Sequence, residues 1–139
     1  MTSSLTKSVK ALAWFGIVNG ALTAATPVLL PLMTAQSLRT VGLVLFLVLG
    51  IASFVAGFYG LRAKPWAFWL LFATFLIQCV EYFSGNFFFS FVGPLSLKFG
   101  WGWKSPPSHF NLNVLAIAVC FLAARTATRL ASPVGESSA

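Results

Sequence analysis

The chain has 139 residues, of which 58% are hydrophobic and 8% charged, with a formal net charge of +7. Soluble domains carry roughly 25% charged residues, so this composition would leave large apolar patches facing water. An ordinary soluble globule, a disordered chain and a disulfide-rich scaffold are all excluded.

The charges divide the chain into uncharged lengths that can be measured against a bilayer. Residues 11–38 hold 28 positions without a charge, and residues 40–61 hold 22. Residues 65–80 hold 16, with apolar character resuming beyond Glu81, and residues 105–124 hold 20. About 20 apolar residues cross a ~30 Å hydrocarbon core. The pattern predicts an all-α integral membrane protein, a four-transmembrane-helix bundle with helices near 10–32, 40–61, 66–86 and 110–130. Residues 1–9 and 132–139 are then short termini flanking a single membrane domain. A membrane barrel requires alternating segments of ~10 residues. The uninterrupted apolar runs at 44–48 and 68–72 exclude one.

The first predicted helix follows Lys7 and Lys10 and contains Thr23-Ala24-Ala25, a stretch that resembles a signal-peptide cleavage site. Apolar character runs on past it to Met33, so the segment is expected to stay as the first span. Gly16, Gly20 and Ala24 recur at four-residue spacing and form a smooth ridge of the kind on which membrane helices pack. Pro27 and Pro31 are expected to kink or unwind the far end. The second helix offers a matching ridge of Ala52, Ala56 and Gly60, with Ser53 and Gly57 one residue along.

The third helix is read as placing Thr74, Gln78, Glu81 and Gly85 on one face. Asn19, Thr23 and Thr26 of the first helix fall at matching depths. The segment 85–109 is apolar and aromatic but broken by Gly85, Gly93-Pro94, Gly100, Gly102 and Pro106-Pro107. It is expected to be an interfacial or re-entrant loop capping the outer mouth of the bundle. His109, Asn111 and Asn113 lead into the fourth helix, which carries Ala116, Cys120 and Ala124 as its small ridge. Cys79 and Cys120 are expected at depths roughly 10–15 Å apart and therefore unpaired.

Six cations (Lys7, Lys10, Arg62, Lys64, Arg125 and Arg129) fall on one side of this arrangement, and Arg39, Lys98 and Lys104 on the other. The positive-inside tendency then puts both termini in the cytoplasm, with a bacterial inner membrane the expected location. Scattered cations at helix ends form no phosphate-gripping stripe, so nucleic acid is not an expected partner.

One polar constellation stands out in the predicted outer half. Glu81, Gln78, Thr74, Asn19, Thr23, His109, Asn111 and Asn113 form a candidate ligand or proton site, because an intramembrane carboxylate is costly to keep. The competing reading is polar glue between helices. One His and two separated Cys cannot supply a zinc site, no phosphate loop is present, and no serine sits in a nucleophile elbow. No catalytic residue, metal or cofactor is therefore assigned, and the reading leans against an enzyme. The leading expectation is a non-enzymatic accessory or interaction subunit, with the bilayer and a membrane-protein partner or second copy as contacts. A small carrier using the cavity around Glu81 is the first alternative, and an intramembrane lipid-modifying enzyme the second.

Overall fold

The computed structural model describes residues 6–33, 40–85, 87–91, 93–104 and 107–132. Four helices carry most of this chain: α1 (Lys7–Met33), α2 (Thr40–Gly60), α3 (Pro65–Ile77) and α4 (Val114–Ala131). Three apolar helical stretches, Lys7–Leu29, Gly42–Gly60 and Val114–Ala131, are long enough to cross a membrane. α3 has 13 residues, about 20 Å of rise, and is too short to span a ~30 Å core alone.

The all-α expectation is corrected between α3 and α4. Here the chain forms β1 (Val80–Ser84), β2 (Phe87–Phe89), β3 (Lys98–Lys104) and β4 (Pro107–Asn113). They make one antiparallel sheet in the order β2-β1-β4-β3. The third helix therefore stops at Ile77 rather than 86, and the fourth starts at Val114 rather than 110. The expected aromatic loop is largely sheet. Lys98–Lys104 reads Lys-Phe-Gly-Trp-Gly-Trp-Lys, a period of two that a strand satisfies and a helix does not. Gly100 and Gly102 further weaken any helix there.

The register sorts the sheet into two faces. Glu81 lies opposite Asn111 and Phe83 opposite His109, while Gly100 and Gly102 flank those β4 residues on the far side. The other face carries Tyr82, Phe110 and Trp101 in one row across three strands, with Phe99 and Trp103 beside it. One face is polar and the other aromatic.

Below the sheet, α1 and α2 pack antiparallel with their backbones in contact. A Cβ at Gly20 would lie 2.7 Å from Gly50 O and 2.8 Å from Phe54 Cα. Gly16 and Ala24 belong to the same seam, facing Gly57 and Gly50. Ser53 crosses it, donating its hydroxyl to Gly16 O at 3.1 Å. On α2 the seam thus runs through Gly50, Ser53 and Gly57. Ala56 turns instead into the core, Gly60 meets Ala13 and Phe68, and Ala52 is half-buried.

A tight turn through Ala63, at φ 57°, reverses the chain between α2 and α3. Pro65 then opens α3 at its first turn, where the missing N–H costs nothing. Phe68, Leu71 and Phe75 of α3 pack with Ala116, Val119, Ala123 and Ala127 of α4 into the main core. α1 continues as helix through Pro27 and Pro31 to Met33, so neither proline ends it.

The expected separation in depth of the two cysteines is corrected, whereas their expected lack of a disulfide stands. Cys79 and Cys120 are both buried, with their sulfurs 3.9 Å apart. With α3 ending early and α4 beginning late, the two residues fall at nearly one level. Both remain free thiols, donating to the carbonyls of Phe75 and Phe72 respectively.

Candidate functional site

The polar constellation read from the sequence divides into two clusters. The first is buried where α1 and α3 meet the segment between β2 and β3. Asn19 (0% exposed) and Thr23 (1%) project from α1, and Gln78 (0%) from the end of α3. Gln78 donates its amide to Thr74 O at 3.1 Å, while its Oε1 accepts the Gly93 N–H at 3.1 Å. Thr74 turns back on its own helix, donating to Leu71 O at 2.9 Å.

Gly93 is the residue that sequence reasoning missed as a member of this cluster. A Cβ there would stand 2.9 Å from Gln78 Oε1, 2.9 Å from Thr23 Oγ1 and 3.1 Å from Asn19 Oδ1. Glycine is what lets the backbone close over three side-chain oxygens. The Gly93-Pro94 pair was legible as a turn, but nothing local told which helix faces it would meet. Both amide atoms of Asn19 and the Thr23 hydroxyl make no hydrogen bond among the described residues.

Asn113 secures the same segment from the other side. Its Oδ1 accepts Ala116 N at 3.3 Å, capping α4, and Leu97 N at 3.2 Å. Its own N–H donates to Cys79 O at 2.8 Å, and Val114 N donates to Leu97 O at 2.8 Å. One side chain therefore starts a helix and pins a loop.

The second cluster lies on the polar face of the sheet. Glu81 is on β1, not within a helix, and Lys98 Nζ stands 2.8 Å from its Oε2. Asn111 Nδ2 donates to the same oxygen at 3.2 Å. His109 stacks on Phe83 with ring centroids 5.3 Å apart, and these residues border a shallow depression of about 260 Å³. Lys98 changes the chemistry expected of Glu81. Burial pushes the carboxyl up, but hydrogen bonds from Lys98, Ser90 and Asn111 and the lysine charge outweigh it. The net effect is a carboxyl below its ordinary value, an ion-paired anion rather than a proton carrier.

That depression of the pKa has a testable sign. A carboxylate held below its unfolded value of ~4.3 stabilises the fold above that pH and loses the contribution as pH falls through its folded value. Tryptophan fluorescence of the sheet should shift on acidification below about pH 4. Glu81→Gln should remove that transition while changing neutral-pH stability by less than about 1 kcal/mol, since Lys98 is partly exposed. An unchanged acid transition in the variant would assign it elsewhere.

Among the described residues no group of three or more His, Cys, Asp or Glu is placed to hold a metal ion. No family model, curated protein or solved structure matches the chain. Function must be argued from the geometry.

Proposed function

We propose that this chain is a multi-pass integral membrane protein acting as a non-enzymatic interaction subunit, with β3 as its docking edge. The observation that carries this reading is the state of that strand. β3 is one of the two edge strands of the sheet, with β2 at the other end, and all seven of its residues are exposed. Among the described residues its outer edge has no neighbouring strand, which leaves alternate N–H and C=O groups open beside Phe99, Trp101 and Trp103, each more than half exposed.

An open strand edge is costly close to hydrocarbon, where water cannot satisfy it. A partner that adds a strand meets both needs, pairing the backbone and covering the aromatic rings. A second copy fits less well. Antiparallel self-pairing about Trp101 would set Lys98 opposite Lys104, and like charges directly opposed are unfavourable. The preferred partner is therefore a different membrane protein with an acidic-flanked strand. In this reading the end bearing Lys7, Lys10, Arg62, Lys64, Arg125 and Arg129 faces the cytoplasm. The sheet then lies on the opposite side.

A photo-cross-linking residue at Trp101 or Trp103 tests this in intact cells. Both positions should give one adduct with one heterologous membrane protein, and the same residue at exposed Leu76 should not. Adducts with lipid alone, or with the chain itself, would overturn the proposal.

A small carrier is the second reading, supported by the Asn19 amide and Thr23 hydroxyl, which have no hydrogen-bond partner among the described residues. It expects Asn19→Leu, rather than changes at the tryptophans, to abolish activity.

A further inference from the structure

The N-terminal turn of α1 and the last turns of α4 do not close on each other. They leave a cleft of about 160 Å³ at the basic end of the bundle, far from both polar clusters. Its polar rim is made by Arg125, Thr126 and Arg129 of α4 with Ser8 of α1 and Thr6 just before it. Its floor is apolar, formed by buried Leu12 with half-buried Val9 and Leu130, and exposed Leu122 flanks it. Arg125 and Arg129 are one helical turn apart and therefore project along the same side of α4.

Nothing described in the protein neutralises these two guanidinium groups. The sequence has two side-chain carboxylates, Glu81 and Glu136. Glu81 is held by Lys98 on the sheet, at the other end of the bundle. Glu136 lies outside the described residues. A cleft with two fixed cations, hydroxyl donors at its mouth and a greasy floor has a specific chemical complement. That complement is an anion joined to a hydrocarbon chain.

We infer that this cleft binds one anionic phospholipid, its phosphate on Arg125 and Arg129 and an acyl chain over Leu12 and Leu122. Arginine suits the role because its planar donor fork pairs phosphate oxygens in bidentate fashion. The Thr6 and Ser8 hydroxyls bond each other at 3.2 Å, which leaves one of them, with Thr126, to donate to the remaining headgroup oxygens. The apolar floor separates a lipid from a free phosphate, which would gain nothing from Val9, Leu12 or Leu130. Basic pockets between helices at the cytoplasmic face are suited to such headgroups. The inference rests on the membrane placement proposed above but not on strand docking at β3.

The test uses the full chain purified in neutral detergent, with phosphatidylglycerol, phosphatidylcholine and inorganic phosphate as probes. Native mass spectrometry should show one phosphatidylglycerol retained at least tenfold better than phosphatidylcholine. Inorganic phosphate at millimolar concentration should not displace it. Arg125→Gln with Arg129→Gln should abolish the preference, whereas Lys7→Gln with Lys10→Gln, an equal loss of charge outside the cleft, should keep it. Leu122→Trp, which crowds the apolar flank of the cleft and leaves both arginines, should weaken retention at least fivefold. That variant keeps the test decisive if the arginine pair is needed for folding. Equal retention of the two lipids, equal loss in the lysine variant, displacement by phosphate, or no effect of Leu122→Trp would each overturn the site. A failure confined to cross-linking at β3 would leave it standing.

Discussion

Gly20→Leu should part α1 from α2 and lower the stability of the purified protein by about 3 kcal/mol, the upper end of what overpacking usually costs. The reason lies in what the new side chain would meet. A Cβ at this position falls 2.7 Å from Gly50 O and 2.8 Å from Phe54 Cα, both backbone atoms. A flexible side chain can rotate away from an intruder. A helix backbone can only move as a unit, carrying the Ser53 to Gly16 hydrogen bond with it. Ala21→Leu provides the control, because Ala21 is exposed one residue along the same helix. Thermal unfolding in detergent should show a large drop for Gly20→Leu and almost none for Ala21→Leu. Equal midpoints would mean that the seam does not hold the two helices together.

Asn113→Ala should be the most damaging polar substitution, with a loss of about 2 kcal/mol. Removing a helix N-cap costs ~1 kcal/mol, and losing the part-buried Leu97 hydrogen bond costs about 0.5–1.5 kcal/mol. Alanine does both, releasing Ala116 N from its cap and Leu97 N from its anchor. Asn113→Ser separates the two effects. Serine still caps a helix, but its shorter side chain does not reach Leu97, so an intermediate loss is expected. Hydrogen exchange at the Leu97 amide should accelerate in both variants, and at the Ala116 amide only with alanine. Protection of Leu97 in Asn113→Ala would show that the segment is held by other contacts.

Much of the helical part was readable because hydrophobic length and small-residue spacing act locally. The uncharged stretches at 11–38 and 40–61 cover all of α2 and all but the first four residues of α1, and the four-residue spacing of Gly16, Gly20 and Ala24 gave the face of α1 that meets α2. The matching residues on α2 were less legible. Ala52, Ala56 and Gly60 and the row beside them are both small, and only the helix rotation in the bundle selects Gly50, Ser53 and Gly57.

The strands were also written in the sequence, in the alternation of Lys98–Lys104 and of His109 to Asn113. Their apolar content matched a membrane loop equally well, and short runs of this kind do not state their partners. Pairing across 15 residues in one case and 30 in the other had to decide. Lys98 meets Asn113, and Glu81 meets Asn111, only because β4 lies between β1 and β3.

Sequence by itself determined the apolar character of this protein, the lengths of its longest helices, the asymmetric placing of its cations and the polar identity of Asn19, Thr23 and Gln78. Those properties follow from composition and from periodicities of a few residues. Tertiary structure alone decided that Glu81 is neutralised by Lys98, that Cys79 touches Cys120 and that Gly93 closes over the buried amides. Each of those facts joins residues from different elements. A side chain's charge state and partners depend on what the fold brings within a few ångströms, and local spacing carries no record of that.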